Sequence, residues 1–180
     1  YCIDDFRVGA QQRMPRVIFD YVDGAAGFET SSRLNREVID QVRLMPRVLV
    51  DIREREMAKK FLGRTWTLPF GIAPMGMCNL AWPNTDKAFA AAAVDHDIPV
   101  CFSTFGSSSI EDMGERASGN GWFQLYVVPA VDDAMDLVQR AKNTGYEYLV
   151  LTVDVPVVAC LLYTLPSSRD LSTSRMPSSA

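Results

Sequence analysis

Histidine is almost missing from this chain: His96 is the only one in 180 residues. Any imidazole chemistry carried here has that one source, and its position argues against it. His96 lies in Asp95-His96-Asp97-Ile98-Pro99, just ahead of an apolar run, at the end of a parallel sheet opposite to where ligands bind. The four cysteines, Cys2, Cys78, Cys101 and Cys160, stand far apart with no CxxC pair, which argues against a zinc site and against a disulfide framework. They read as buried or partly buried free thiols. No run of about 18 apolar residues occurs, and the opening Tyr1-Cys2-Ile3-Asp4-Asp5 has neither the basic nor the apolar region of a secretory leader. The reading is of a cytoplasmic protein with no membrane segment. Basic side chains form no block, and 18 Lys and Arg against 22 Asp and Glu leave a net charge of −4. Nothing electrostatic draws such a chain to nucleic acid or anionic lipid. Neither a GxGxxG fingerprint nor a P-loop follows any apolar run, so a Rossmann or NTPase reading has no anchor.

What is present is the balance of a globular protein, 48% apolar and 22% charged residues, which excludes disorder and collagen-like repeats. The length suits one domain of about 100–200 residues and falls short of a complete eight-fold β/α barrel, typically about 250. The first 50 residues read as helical. Pro15 opens a segment with Val17, Ile18 and Tyr21 at helical spacing, and Gly24 stops it. A second helix is expected over Ser31–Val42, capped by Thr30 or Ser31. Between Arg43 and Trp66 only short extended pieces such as Arg47–Val50 are predicted, with Pro46 and Gly63 as interruptions.

From Leu68 the pattern becomes regular. Apolar runs at Leu68–Ala73, Pro99–Ser103, Trp122–Val127 and Tyr148–Val153 predict strands buried on both faces. Helices are expected over Thr85–Asp95, Ser109–Ala117 and Val131–Asn143, the last stopped by Thr144-Gly145. Strand and helix in alternation predict a parallel sheet with right-handed crossovers. The fold class is therefore α/β, about four β/α units preceded by N-terminal helices. After Val158 the text changes. Residues 159–180 hold six Ser, two Thr and two Pro without periodicity, and read as a disordered tail or the scar of a truncation, outside the 1–158 domain.

Side chains alternate along a strand, so Trp122, Gln124 and Tyr126 share one face. A Gln within a strand buried on both sides costs a few kcal/mol unless its amide finds partners. Thr152 and Asp154 repeat the situation on the last run. Two readings stand side by side: Gln124 and Thr152 satisfy each other or the neighbouring backbone, or they face a ligand at the carboxyl ends of the strands. The loops Ala73-Pro74-Met75-Gly76 and Ser103-Thr104-Phe105-Gly106-Ser107-Ser108 follow strands and carry small residues and hydroxyls suited to a close approach of backbone to ligand.

These residues form an ordered series: Phe19-Asp20-Tyr21 with Gly24-Ala25, Ile72-Ala73-Pro74-Met75-Gly76, Ser103-Thr104-Phe105, Ser109-Ile110-Glu111-Asp112, Trp122-Phe123-Gln124-Leu125-Tyr126-Val127, and Leu151-Thr152-Val153-Asp154-Val155-Pro156. The series resembles the FMN-dependent family that oxidises α-hydroxy acids, which includes glycolate oxidase, lactate oxidase and mandelate dehydrogenase, and the match runs from about Ile3 to Val158. The resemblance implies the N-terminal half of a (β/α)₈ barrel of the TIM type, with FMN across its carboxyl-end mouth. It implies that the backbone at Pro74, Met75 and Gly76 borders the flavin ring and that Ser103, Gln124 and Thr152 hydrogen-bond its heteroatoms. Tyr21 and Tyr126 match the tyrosines that hold a small 2-hydroxy-acid substrate, and Asp154 matches the carboxylate that orients the family's catalytic histidine. That histidine, with an arginine, a lysine and the phosphate site, belongs to the family's second half and has no counterpart here. The arginine expected shortly after Asp154 is replaced by Val157-Val158-Ala159-Cys160-Leu161. The activity implied is flavin-dependent oxidation of an L-2-hydroxy acid to the 2-oxo acid by proteins that are often homo-oligomers. The alternative is an inactive half-barrel that only self-associates.

Overall fold

The computed structural model describes residues 2–126 and 131–153, and these divide into two compact units, one up to Val48 and one from Leu49 onward. The first unit holds α1 (Ile3–Arg13), α2 (Arg16–Asp23) and α3 (Thr30–Asp40). Pro15 and Gly24 bound α2 as the sequence predicts. A Cβ on Gly24 would lie 2.7 Å from the Asp20 carbonyl oxygen, so the closing turn requires glycine. The Arg7 guanidinium, 2.7 Å from Asp23 through Nη2, ties α1 to α2. α3 starts at Thr30 rather than Ser31, and no hydroxyl caps it. Glu29 occupies the cap with a positive φ of 57°, and its carboxylate turns back to accept the Ala25 N–H.

In the second unit the stretch that reads as mixed contains an antiparallel hairpin, β1 (Lys59–Phe61) and β2 (Arg64–Trp66). Gly63 is therefore a turn residue rather than a break, with Leu62 and Gly63 both at positive φ, as a tight hairpin connection requires. Arg47–Val50 forms no strand. The single helical turn α4 (Cys78–Ala81) precedes α5 (Thr85–Asp95), β3 (Val100–Ser103), α6 (Ile110–Ala117), β4 (Gly121–Tyr126), α7 (Val131–Asn143) and β5 (Tyr148–Thr152). β3, β4 and β5 are parallel neighbours in that order, with Ser103 opposite Gln124 and Tyr126 opposite Thr152. The alternation is an α/β arrangement, and the described strands do not close into a barrel.

Two further expectations need correction. Leu68–Ala73 forms only one parallel bridge, Ile72 to Val100, because Pro69 and Pro74 lack the N–H a strand must donate. β5 is not buried on both faces: Leu149 is 49% and Leu151 53% exposed. It is the edge of the described sheet, with no described helix on its outer side.

The core lies between the sheet and its helices. Val100, Phe102 and Met113 pack with Ala90, Ala93 and Ala117, while Phe123 and Leu125 pack with Ala141. Tyr146 joins the two clusters, its ring 6.3 Å from Phe102 and 5.9 Å from Phe123, and its hydroxyl donates to the Ile110 carbonyl. Ser109 caps α6 by accepting the Asp112 N–H at 3.1 Å. On the opposite face of the sheet, a cavity of about 390 Å³ lies between the hairpin and the strands, lined by Phe61, Trp66, Phe70, Ile72, Cys101 and Trp122 among others.

Candidate active site

The side chains that point to the cavity face alternate along each strand, so Cys101 and Ser103, Trp122, Gln124 and Tyr126, and Val150 and Thr152 share one side. Toward the amino ends these positions are aromatic and apolar. Phe61, Trp66 and Tyr148 surround Trp122 at ring separations of 5.9, 6.4 and 5.0 Å. Among the described residues the indole N–H groups of Trp66 and Trp122 have no partner there. Arg64 anchors the hairpin at this end, donating to Gly119 O, Asp97 Oδ1 and Asn120 Oδ1 at 2.9, 2.8 and 2.7 Å. His96 is exposed and ends α5 at the same end, as its sequence position predicts.

Toward the carboxyl ends the same face turns polar. Ser103 Oγ donates to Gln124 Oε1 at 2.8 Å, and Gln124 Nε2 donates to Thr152 Oγ1 at 2.7 Å. Gln124 is 2% and Ser103 9% exposed. The partners that the burial of Gln124 demands are therefore protein hydroxyls on both flanking strands. Among the described residues the row keeps unused capacity, since Gln124 Nε2 has a second N–H and the Thr152 hydroxyl keeps its proton.

The two loops predicted to approach a ligand meet beside this row. Met77 N–H donates to Phe105 O at 2.9 Å, and a Cβ on Gly76 would sit 3.1 Å from Phe105 Cβ. Pro74, Met75 and Gly76 are all exposed. Asp86, at the start of α5, was not singled out by sequence reasoning although it is only 4% exposed. Its carboxylate accepts the Ser107 N–H, its own N–H goes to Asn79 Oδ1, and Asn79 reaches Ser107 and Ser108. An acidic residue in a helical first turn looks like an ordinary dipole partner, and only the tertiary fold shows it fastening the Ser107 loop to α4.

Ser103, Gln124 and Thr152 thus converge, with Tyr126 at the same edge, half-buried, its ring 5.4 Å from Phe105. Tyr21 lies on α2 in the other unit and is 42% exposed. Asp154 and the 159–180 tail lie outside the described residues. Among those residues no group of three or more His, Cys, Asp or Glu is placed to hold a metal, and no helix is long and apolar enough to cross a membrane.

The same arrangement of elements occurs in solved enzymes. The chain superposes with a TM-score of 0.84 on a mutant of an active chimera of (S)-mandelate dehydrogenase, at 37% identity, covering 96% of this chain and 47% of that one. Mandelate oxidase gives 0.83 at 32% identity, with 97% and 49% covered. In sequence the chain is 39% identical over 155 residues to (S)-mandelate dehydrogenase of Pseudomonas putida, covering 86% of this chain and 39% of the relative. It is 35% identical over 158 residues to 2-hydroxyacid oxidase 2 of Bos taurus, covering 87% and 45%. The chain spans less than half the length of these two relatives. One similar structure is described as a monotopic membrane protein, again (S)-mandelate dehydrogenase. The profile described as FMN-dependent dehydrogenase matches residues 10–169. A match of that extent, over the residues that build the polar row and its two loops, establishes that the chain belongs to the FMN-dependent dehydrogenase family, whose cofactor is FMN.

Proposed function

We propose that this chain forms the flavin-facing part of an FMN-dependent oxidoreductase that converts a small L-2-hydroxy acid to the 2-oxo acid, and that its parallel sheet is part of an eight-stranded β/α barrel. The observation that carries the reading is the row Ser103–Gln124–Thr152, with Ser103 and Gln124 buried and Thr152 half-buried, at the carboxyl ends of three adjacent strands, where barrels of this class hold ligands. The residues fit the group. Among the described residues Gln124 and Thr152 have donors left over, and the exposed backbone at Pro74, Met75 and Gly76 lies beside them. FMN supplies the two-electron acceptor when bound.

The protein's own part is to hold and orient. Ser103, Gln124 and Thr152 present hydrogen-bonding groups that cannot rotate away, because each is fixed by its neighbour in the row. In this reading Tyr126, at the outer end of β4, meets the substrate's polar end, and Tyr21 is the second phenol. The proton on the α-carbon or hydroxyl needs a base, and Asp154 is assigned to orienting an imidazole that His96 does not supply. Without such a base, proton transfer is slower by about 10²–10⁴-fold. The purified 180-residue chain should take up FMN, seen as quenching of flavin fluorescence, with slow or no bleaching on addition of lactate, glycolate or mandelate. Flavin fluorescence left unquenched at saturating chain would refute the flavin reading.

The exposed edge favours a second reading, an inactive half-barrel that self-associates. Leu149 and Leu151 on β5, with Val153 just after it, present an uncovered apolar strip, and an open edge with apolar side chains promotes pairing.

A further inference from the structure

We propose that Thr104 is a positioning residue for Tyr126: its hydroxyl replaces a main-chain carbonyl as the last rung between β3 and β4. The inference rests on the reading above only in taking Tyr126 as a substrate contact.

The ladder itself shows the substitution. In parallel pairing a residue donates its N–H to one position of the neighbouring strand and accepts, through its own carbonyl, from the position two further on. Val100 N–H donates to Asn120 O at 3.0 Å, and Thr104 N–H donates to Gln124 O at 2.9 Å, in step with that rule. The next rung should run from Tyr126 N–H to the Thr104 carbonyl. It runs instead to Thr104 Oγ1 at 3.1 Å, and the same hydroxyl donates to Gln124 O at 2.7 Å.

The cause is the turn that begins at this point. Gly106 N–H closes onto Ser103 O at 2.8 Å, Phe105 N–H is taken by Ser103 Oγ at 3.2 Å, and Phe105 O accepts from Met77. The chain after β3 leaves the ladder to join the neighbouring loop, which would strand the Tyr126 N–H. A hydroxyl one atom beyond Cβ reaches back where the carbonyl cannot. β4 is thereby held in register for longer than β3, and the Tyr126 ring is presented beside Phe105 with its main chain pinned at both the Gln124 carbonyl and its own amide. Valine has the shape of threonine without the hydroxyl, and serine keeps the hydroxyl without the methyl, so the pair separates bonding from packing.

The test uses the whole 180-residue chain as wild type, T104V and T104S. Amide exchange followed residue by residue should show the Tyr126 N–H exchanging about tenfold faster or more in T104V, returning to within about twofold in T104S, while Val100 and Cys101 are unchanged. In the FMN-loaded proteins, flavin affinity should stay within about twofold. Affinity for a 2-oxo acid, read from the shift it causes in flavin absorbance, should fall about tenfold in T104V and recover in T104S. Unchanged Tyr126 exchange in T104V overturns the proposal, and so does uniform acceleration across β3 and β4, which marks a general loss of stability. Faster Tyr126 exchange with unaltered acid affinity overturns the role toward substrate. A wild-type chain that takes up no FMN defeats the flavin reading, and the exchange measurement then decides the positioning role on its own.

Discussion

Gln124 shows what one buried amide demands. Its two hydrogen bonds reach hydroxyls on both neighbouring strands, so Gln124→Leu removes one side chain and leaves two hydroxyls without their partner. A loss of about 1–3 kcal/mol in stability is expected from urea unfolding, together with weaker FMN uptake. That Gln124 needs partners is legible from its place in an apolar run. Which partners it takes is not, because Ser103 and Thr152 are 21 and 28 residues away in sequence. Cys101, two positions before Ser103 on the same face, is 7% exposed, and burial pushes its thiol from the ordinary 9.0 to about 12. The folded state therefore keeps a proton that the unfolded chain gives up. The associated stability is intact below about pH 9 and is lost as pH rises from there toward 12. Cys101→Ala should flatten the alkaline limb of stability against pH. At pH 8, mass mapping of alkylated wild-type protein should show Cys101 reacting more slowly than the exposed Cys2.

At the scale of elements, the hairpin is where sequence reasoning fell short. Its strands have three residues each, too short for alternation to register, and Gly63 serves a turn as readily as a break. Its stability comes from distant partners. Tyr148 donates to the Leu62 carbonyl, and Arg64 lies over the Trp66 ring at 4.1 Å while reaching Asp97, Gly119 and Asn120. Arg64→Met keeps the stem on Trp66 and removes three hydrogen bonds. Because the pair with Asp97 is partly exposed, its contribution is discounted, and a loss of about 1–2 kcal/mol is expected, with a red shift of tryptophan emission as Trp66 and Trp122 meet water. The helices α6 and α7 were legible because each carries its own boundary, Ser109 at the start of α6 and Thr144-Gly145 after α7. Glycine at 114 in α6 is a separate matter, since a Cβ there would lie 2.4 Å from Thr144 Cγ2. The close packing of α6 on that turn could not be read from a helical pattern in which glycine is only a weak former.

For the whole molecule, the decisive feature is that the sheet has an edge. β5 alternates half-buried with exposed residues, although its sequence has the apolar content of a strand covered on both sides. The composition thus anticipates a cover that the described residues do not include. Leu149→Lys with Leu151→Lys should leave the fold intact and suppress concentration-dependent association, measured by sedimentation velocity between about 5 and 100 μM, if this strip is what makes the chain associate. Association unchanged by the double substitution would assign it to another surface.

By itself the sequence determined the β/α alternation, the family and the residues that make the polar row, because strand periodicity, helix boundaries and a dense series of short motifs are all local in the chain. Only the tertiary structure decided which hydroxyls satisfy Gln124, that Asp86 fastens the Ser107 loop to α4, that Thr104 supplies the final rung to Tyr126, and that Leu68–Ala73 contributes a single bridge. Each of these rests on at least one contact between positions 20 residues or more apart, and hydrogen-bond partners at that separation are chosen by register and packing rather than by residue type.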